Sequence, residues 1–474
     1  MKKFFIFIAI VLPLSSLAET VEIDGIYYNL TNKLKTAEVV AGEKKYEGDI
    51  IIPSFVQYET SEFQVTSIGS NAFHKCVNLH SVSIPNSVKT MGYNLFSYSP
   101  NLTTVNIGDG IKVINDFAFY ECSSLTTVNL GNNVQEINQY AFGCCSSLKS
   151  ITIPKSVKSF GLVAFDRECT SLSAVHISDL EAWCRIKFEE GGNPLIFAKH
   201  LYLNDNEIIE LEIPNTIERI EDYTFQGCQS IVSVKLPTNL RSIGAYAFDW
   251  CSNLESLILP SSITFIGSVA FGSCSRLKSV TIPASVETIG NDAFSYCRGL
   301  EVLTIEDGVR QIGAGAFNNC SKLESLAIPN SITTIGNGAF SQCGALRIIK
   351  VGNNVESIGR ESFGNCPEIT DVYCFAEVVP NTSDIAFYNS LIDYATLHVP
   401  ALSIEAYQAS APWSGFKNIV ALTNEDTSIK VRESYNAIKI DYYDLNGQKK
   451  DAHIRGLSII KQSNGVTQKV LLKK

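Results

Sequence analysis

The 474-residue sequence contains only six histidines, and the motifs that mark common catalytic centres are missing from it. No G-x-S-x-G, P-loop, G-x-G-x-x-G or H-E-x-x-H motif occurs, so we expect no catalytic residue and no cofactor. The histidines share no repeat position and no ligand spacing, and a zinc site needs three or four converging ligands. We therefore expect no metal site, although His74 and His80 on either side of Cys76 are the alternative. The histidines are His74, His80, His176, His200, His398 and His453.

Long apolar segments are also missing, because no stretch reaches the 18 residues that a transmembrane helix requires. At the start of the chain, Lys2 and Lys3 precede a shorter apolar run, and Ser16-Leu17-Ala18 follows it. This order predicts a signal peptide over residues 1–18, with no cysteine near the cleavage site to make a lipoprotein. We expect a secreted or cell-surface protein without a transmembrane segment in the mature chain.

Charge is low and unevenly distributed. The formal net charge is −10, and removal of Lys2 and Lys3 with the signal peptide makes it −12, so we do not expect nucleic acid as a partner. Residues 428–474 differ, because ten Lys and Arg stand against four Asp and Glu there, a net charge of +6. This contrast predicts a separate terminal module.

Phenylalanine recurs with a fixed period of 23 residues. The twelve residues form two runs on this period: Phe73, Phe96, Phe119, Phe142 and Phe165, then Phe225, Phe248, Phe271, Phe294, Phe317, Phe340 and Phe363. Each is followed by three apolar residues at the spacing of an L-x-x-L-x-L core, such as Leu300, Leu303 and Ile305 after Phe294, and a fixed period between 20 and 29 with this core is typical of leucine-rich repeats. We therefore predict a β-rich repeat solenoid of about 12 copies of 23 residues, with one short parallel strand per repeat and small β modules at the ends.

The columns within each repeat predict its local structure. From Leu277 to Ile282 the apolar residues occupy the first, fourth and sixth positions, so the last four residues alternate as a strand with one buried face. A second apolar pair follows and is closed by glycine in most copies, as at Gly290. Because Asn115 and Asn138 replace this glycine, and Gly or Asn is typical of positive φ, we predict positive φ at Gly290 and its equivalents.

Ten of the fourteen cysteines stand three residues after a periodic phenylalanine, and Ser99 takes this position in one copy. Neighbouring rungs about 4.8 Å apart would permit disulfides by distance. However, side chains in one column run parallel, and each cysteine has two equivalent neighbours. We therefore predict a ladder of buried, reduced thiols with weak hydrogen bonds.

The repeat unit L-x-x-V-x-I-P-x-S-V-x-x-I-G-x-x-A-F-x-x-C closely resembles the BspA-like class of leucine-rich repeats, which occurs in bacterial surface proteins and some microbial eukaryotes. Residues 65–374 carry it. Residues 179–206 resemble an insertion common in that family, and residues 372–420 resemble its C-terminal closing rungs. The resemblance implies adhesion to host or matrix proteins or to other cells, and no catalysis.

The tail resembles a different family. Tyr442 to Gln448, Arg455 to Ile460 and Lys469 to Leu472 look like the last strands of the C-terminal sorting domains of type IX secretion. The alternative is a small β module that only ends the solenoid.

These features divide the chain into seven segments. We expect a signal peptide (1–18), an N-terminal β cap (19–64), a first repeat block (65–178), an insertion (179–206), a second repeat block (207–374), closing rungs and cap (375–425), and a small β module that is a candidate sorting signal (428–474).

The outward positions of the predicted strands carry our candidate binding surface. They are small and hydroxyl-rich in the first copies and become larger toward the C-terminal copies. Ser and Thr suit an exposed sheet without any function, yet solenoids bind partners through such faces, and large amphipathic residues dominate binding energy. The candidate residues are Ser279, Thr281, Thr304, Ile348, Lys350 and Tyr373.

We expect a monomer that binds an extracellular protein or matrix ligand. A surface carbohydrate-binding protein is the alternative, and a β-helix enzyme would need a charged cluster that the outward columns lack.

Overall fold

The computed structural model describes residues 20–423 and four tail strands at residues 441–443, 449–450, 456–461 and 467–472. The expected signal peptide lies outside the described residues. Over residues 20–423 the chain forms a parallel β-solenoid of about 15 turns with a spacing of about 23 residues, which confirms the predicted fold class.

An N-terminal cap of six strands begins the solenoid. They are β1 (Thr20–Ile23), β2 (Ile26–Thr31), β3 (Thr36–Val39), β4 (Gly48–Ile51), β5 (Phe55–Tyr58) and β6 (Ser61–Ile68). Strands β1, β2 and β3 form an antiparallel meander, and β6 pairs parallel with β3 and antiparallel with β5.

Each turn of the first block contributes one long and one short strand. They are β7 (Leu79–Ile84), β8 (Thr90–Met91), β9 (Thr104–Ile107), β10 (Val113–Ile114), β11 (Thr127–Asn129), β12 (Glu136–Ile137), β13 (Ser150–Ile153), β14 (Ser159–Phe160) and β15 (Ala174–Ile177). Cap strand β4 pairs with the long strand β7 and cap strand β6 with the short strand β8, both in parallel. The cap therefore supplies the first partner for both columns of strands.

The expected insertion forms a modified rung. It contains α1 (Leu180–Cys184), β16 (Lys187–Phe188), α2 (Leu195–Ala198), β17 (Leu201–Leu203) and β18 (Asn206–Glu207). Strand β16 continues the short strands and β17 the long ones, in parallel with β14 and β15. Strand β18 then turns back antiparallel to β17, which ends this run of long strands.

The second block and the closing rungs continue the alternation. The strands are β19 (Glu210–Glu212), β20 (Arg219–Ile220), β21 (Ser233–Lys235), β22 (Ser242–Ile243), β23 (Ser256–Leu257), β24 (Phe265–Ile266), β25 (Ser279–Ile282), β26 (Thr288–Ile289), β27 (Val302–Ile305), β28 (Gln311–Ile312), β29 (Ser325–Ile328), β30 (Thr334–Ile335), β31 (Ile348–Val351), β32 (Ser357–Ile358), β33 (Asp371–Cys374), β34 (Asn381–Thr382), β35 (Thr396–Val399) and β36 (Asn418–Ala421). The eight short strands from β20 to β34 form one continuous parallel sheet.

The closing rungs also contain helix α3 (Ile404–Gln408) and three 3-10 helices (Ile392–Tyr394, Ala401–Ser403 and Trp413–Gly415). The tail strands β37 (Asp441–Tyr443), β38 (Lys449–Lys450), β39 (Gly456–Lys461) and β40 (Thr467–Leu472) form a separate antiparallel sheet in the order β38-β37-β39-β40.

The periodic phenylalanines form the core in two stacks, with ring centroids of neighbouring rungs 5.0 to 5.7 Å apart. All twelve are buried. Each buried ring contributes roughly 2–3 kcal/mol of hydrophobic stabilisation. Tyr46 closes the N-terminal end of the first stack at 4.7 Å from Phe73, and Trp413 packs edge-on against Phe387 at the far end of the second. Both ends of the core are therefore closed by aromatic rings of the caps.

The cysteine column lies beside this stack. All fourteen cysteines are free, and all except Cys144 are buried. Nine thiols donate to the carbonyl oxygen of the phenylalanine in the preceding rung, with sulfur–oxygen distances of 3.1 to 3.5 Å. The Ser99 hydroxyl makes the same contact with Phe73 at 2.9 Å. The predicted ladder of buried, weakly hydrogen-bonded thiols is therefore confirmed in its geometry.

The prediction of positive φ at Gly290 and its equivalents is wrong. Positive φ occurs instead two residues before every periodic phenylalanine, and two residues after every one except Phe165, as at Asp292 (53°) and Tyr296 (59°) around Phe294. A Cβ atom on Gly290 would lie 2.6 Å from the carbonyl oxygen of Gly267. Glycine is required there because the backbone of the preceding rung comes too close for a side chain.

Candidate binding surface

The long strands present one face to solvent, which we call the strand face. In β25 the side chains of Val280 and Ile282 are buried, whereas Ser279 and Thr281 are exposed. The same alternation recurs from strand to strand, because successive side chains of a strand point to opposite faces. The strand face is therefore two columns wide and runs along the solenoid.

Three of the predicted residues lie together in the middle of the second block. Thr281 on β25 pairs with Thr304 on β27, and Ser279 pairs with Val302 beside them. All three predicted side chains are exposed. They form a small, uncharged patch whose hydroxyl groups offer hydrogen bonds.

The other three predicted residues lie two strands further along. Ile348 and Lys350 are on β31, and Tyr373 is on β33 directly opposite Lys350. The Lys350 ammonium lies 5.3 Å from the centre of the Tyr373 ring, within the range of a cation–π contact. Strand β29 separates this group from the threonine patch, so the structure divides the predicted residues into two sets.

His398 extends the second set, and sequence reasoning did not select it. Its ring stacks on Tyr373 with centroids 4.2 Å apart and an interplanar angle of 11°. Its Nε2 lies 3.1 Å from Oδ1 of Asp371. Because β35 begins 25 residues after β33 instead of 23, His398 does not stand on the repeat period (396 − 371 = 25). We call Lys350, Asp371, Tyr373 and His398 the C-terminal cluster.

A similar arrangement occurs where the first block meets the insertion. His176 stacks on Tyr202 with centroids 4.9 Å apart, and its Nδ1 lies 3.3 Å from Oδ1 of Asp205. His176 and His398 are both the third residue of a long strand. The prediction that the histidines share no repeat position is therefore wrong for this pair, because rungs of unequal length hide the equivalence.

The first block presents a different chemistry on the strand face. The Asn129 side-chain amide donates to Oδ1 of Asn106 at 2.6 Å, and the Asn106 amide donates to the Ser83 hydroxyl at 3.2 Å. These side chains form a hydrogen-bonded ladder across three rungs. Part of their hydrogen-bonding capacity is consequently used within the sheet, unlike that of an isolated exposed amide.

The arrangement of long strands, short strands and stacked phenylalanines agrees with a comparison to protein-family models. The model of the BspA type leucine rich repeat region matches residues 54–178, 196–307 and 287–410. The chain belongs to the BspA-type leucine-rich repeat family. For this BspA-type protein, membership establishes a repeat scaffold and does not identify a ligand.

Solved structures show similar chains. A leucine-rich repeat protein from Bacteroides ovatus is 26% identical with a TM-score of 0.56, over 85% of this chain and 100% of that one. A leucine rich cell surface protein from Faecalibacterium prausnitzii is 24% identical with a TM-score of 0.48, over 75% of this chain and 94% of that one. No curated protein matches this BspA-type chain.

A row of aromatic side chains lies on the edge that carries the positive φ residues, and sequence reasoning missed it. Phe117 stacks on Tyr140 at 5.4 Å, Tyr120 lies edge-on to Tyr98 at 5.7 Å, and His74 lies edge-on to Tyr98 at the same distance. Phe117, Tyr140 and Tyr98 all have φ between 50° and 59°. Aromatic residues two positions before or after the periodic phenylalanine were the available signal.

Cys144 is the cysteine that is not fully buried, and its environment disfavours redox chemistry. Its backbone N–H donates to Oδ1 of Asp166 at 2.9 Å, and its sulfur lies 3.4 Å from Oδ2. Burial and the Asp166 carboxylate raise the pKa of Cys144 to about 12. Since the thiolate is the reactive form, this thiol is a poor nucleophile at neutral pH.

The remaining features of the described residues concern metal-binding groups, membrane-spanning helices and depressions of the surface. Within the described part of the chain, no group of three or more His, Cys, Asp or Glu side chains could hold a metal ion. No helix among the described residues is long and apolar enough to cross a membrane. A shallow depression of about 1010 Å³ lies near the closing rungs, lined in part by Arg310, Glu356 and Phe375, and the predicted residues do not line it.

Proposed function

We propose that this protein is an exported, non-enzymatic interaction protein that binds an extended extracellular protein through the strand face, with adhesion as its role. The observation that carries the proposal is the C-terminal cluster. Lys350, Tyr373 and His398 stand in one outward column on three consecutive strands of a single parallel sheet. A cation, two stacked rings and the Asp371 carboxylate are thus displayed on rigid strands.

The composition of the cluster favours a protein partner. Binding energy at protein interfaces concentrates in a few large amphipathic side chains surrounded by smaller ones. Ile348 adds an exposed apolar side chain beside the cluster, whereas the neighbouring patch at Ser279, Thr281 and Thr304 is small and polar. The strand face therefore combines the C-terminal cluster, which can hold a partner by large side chains, with a long row of small polar side chains that can form hydrogen bonds. This combination suits an extended segment of a partner protein.

Export and surface attachment complete the proposal. The order of lysines, apolar run and Ser16-Leu17-Ala18 supports delivery across the inner membrane. The basic module at residues 428–474 supports a role as a sorting signal at the cell surface. The binding unit is then a monomeric solenoid displayed outside the cell.

The test offers extracellular-matrix proteins and glycans to the purified full chain on one array. The leading protein hit is then titrated against the double variant Lys350→Ala/Tyr373→Ala. We expect affinity to fall by about thirtyfold or more, as for central anchors of an interface. A matched double variant on the short strands, Thr288→Ala/Gln311→Ala, should bind like the unaltered protein.

Two outcomes would contradict the proposal. Equal affinities of the two double variants would remove the C-terminal cluster from the interface. Binding to glycans alone, lost in the Lys350→Ala/Tyr373→Ala variant, would establish the alternative of a surface carbohydrate-binding protein that uses the same face.

A further inference from the structure

We propose a second binding surface, on the short-strand side of the first block, that takes a linear anionic polysaccharide. Its central residues are Lys89, Lys112 and Lys158, which we call the lysine column. Each immediately precedes a short strand, at the same position of its repeat. This surface uses neither the strand face nor its residues.

Backbone hydrogen bonds place the column on neighbouring rungs. The N–H of Gln135 donates to the carbonyl of Lys112 at 2.7 Å, and the N–H of Lys158 donates to the carbonyl of Gln135 at 2.7 Å. Lys187 lies one position further along the next rung, in register with Ser159, and its N–H donates to the carbonyl of Lys158 at 2.9 Å. Lys89 holds the same position in the rung before that of Lys112, and the three lysines of the column are exposed, as is Lys187.

The lysine column lacks partners that would neutralise it. Within residues 20–423, no carboxylate lies within 4.0 Å of the ammonium of Lys89, Lys112 or Lys158. Lys89 donates instead to the carbonyl of Asn86 at 2.8 Å, and Lys158 donates to the side-chain oxygen of Gln135 at 3.3 Å. Both acceptors are neutral, so the positive charge of the row remains available to a ligand.

The acidic neighbours of the column leave this balance positive. Glu136 stands between Val113 and Ser159 in the adjacent column, and Lys187 follows Ser159 in that same column, so this column adds one negative and one positive charge beside the three lysines. Asp109 lies in the preceding turn, where its Oδ1 accepts hydrogen bonds from the backbone and side-chain nitrogens of Asn132 at 2.7 and 3.1 Å.

At the same position in the second block, acidic residues are followed by basic residues in the next rung. There Glu218 is followed in the next rung by Arg241, whose Nε lies 3.8 Å from the Glu218 carboxylate. Glu287 is likewise followed by Arg310, whose backbone N–H donates to the Glu287 carbonyl at 2.9 Å. Like charges opposite one another destabilise a sheet, and opposite charges stabilise it. The lysine column thus lacks the stabilisation by opposite charges that the second block has at the same position. This difference points to a ligand for the column.

The linear spacing of the lysines favours one class of ligand. Rungs about 4.8 Å apart put Lys89 and Lys158 roughly 14 Å from each other along a straight line. A lysine ammonium binds sulfate and carboxylate groups as a compact point charge. A line of such charges matches the regularly spaced anions of a sulfated or uronic polysaccharide better than the flat anionic surface of a membrane.

The test measures retention of the full chain on immobilised heparin and its affinity for soluble heparin at low salt. The triple variant Lys89→Gln/Lys112→Gln/Lys158→Gln should elute at lower salt and bind about tenfold more weakly. A matched triple variant at other exposed lysines, Lys149→Gln/Lys278→Gln/Lys322→Gln, should retain its affinity. The thermal unfolding temperature of the first variant should change little, because the hydrogen bonds of Lys89 and Lys158 that it loses are exposed and like-charge repulsion is lost with them.

Two further arms separate other sources of binding. A third triple variant, Lys449→Gln/Lys450→Gln/Lys461→Gln, reports on the basic tail, and a loss confined to it would overturn the proposal. Equal losses of heparin affinity in the first two variants would mean that binding depends on net charge alone, and this result would overturn the proposal as well. Vesicles of phosphatidylglycerol and phosphatidylcholine complete the set, and column-dependent binding to them without binding to heparin would contradict a polysaccharide ligand.

Discussion

The thiol of Cys297 donates a hydrogen bond to the backbone carbonyl of Phe271 in the preceding rung, with the sulfur 3.2 Å from the oxygen. The contact ties the cysteine column to the phenylalanine stack. Ser99 reproduces it with a hydroxyl at 2.9 Å from the carbonyl oxygen of Phe73. The column therefore selects a small donor at this position, and a disulfide is not needed to explain it.

Replacement of Cys297 tests this role. Cys297→Ala removes the donor and leaves a small void, so we expect unfolding to become easier by about 1–2 kcal/mol. Cys297→Ser keeps the donor, as Ser99 does, and should cost less than half as much. Denaturant unfolding measures the stability of both variants. A serine variant that is less stable than the alanine variant would contradict the role of the hydrogen bond.

The oxidation state of the ladder gives a second prediction. Burial raises the pKa of Cys122 and of Cys297 to about 12, so their thiolates are scarce and oxidation is disfavoured. We expect a thiol titration of the unfolded, unreduced protein to find most of the fourteen cysteines free. A titre below half of them would favour cross-linked rungs.

Gly290 gives a third prediction, now based on close approach. A Cβ there would meet the Gly267 carbonyl oxygen at 2.6 Å, so Gly290→Ala should destabilise the solenoid by about 1–3 kcal/mol. Gly69 is the matched control, because its nearest atoms to a Cβ are 3.5 Å away. Thermal melting should separate the two variants, and equal melting temperatures would refute the steric explanation.

Asp249 predicts a pH dependence of stability. The residue is 5% exposed, it accepts a hydrogen bond from the Gln226 amide at 3.1 Å, and burial raises its pKa from 3.8 to about 6. A folded pKa above the unfolded value means that the protonated form is the more stable in the folded chain. Its stabilisation is therefore fully present below about pH 4 and is lost as the pH rises through about 6.

The Asp249→Asn variant removes this dependence. At pH 7 it should be more stable than the unaltered chain by on the order of 1–2 kcal/mol, and the difference should shrink toward pH 4. Chemical denaturation at several pH values measures it, with exposed Glu287→Gln as the control. A constant difference across this range would rule out titration of Asp249 as the cause.

The tail gives a prediction about delivery. Deletion of residues 428–474 should leave ligand binding by the purified solenoid intact and should retain the protein in the periplasm of its native host. Protease accessibility on whole cells distinguishes the two locations. Normal surface amounts of the truncated chain would reduce the tail to a structural appendage.

Much of the fold could be predicted because each column repeats. The period of Phe294 and its equivalents predicted the stack, and the alternation of Ser279 to Ile282 predicted which side chains face solvent. From the sequence, the repeated glycine at Gly290 was explained by positive φ, and this explanation was wrong. A repeated glycine indicates either positive φ or the close approach of another part of the backbone. Only the position of the preceding backbone distinguishes the two causes.

The candidate surface could be predicted less completely. Lys350 and Tyr373 were selected as large outward residues, and the structure places them opposite one another. His398 was missed because its rung is longer than the period, and the contact of Asp371 with that histidine was missed with it. Side chains from rungs of different length meet according to strand register, and single-sequence periodicity does not specify that register.

By itself the sequence determined the fold class, the inward and outward columns, and the buried ladders of phenylalanine and cysteine, because a repeated environment acts on every copy in the same way. Only the tertiary structure decided which unlike residues meet across rungs, such as Tyr373 with His398 or Arg241 with Glu218. The physical reason is that the buried face is specified locally by hydrophobicity. Contacts on the exposed face depend instead on the register of neighbouring strands and on where the insertion interrupts the long strands.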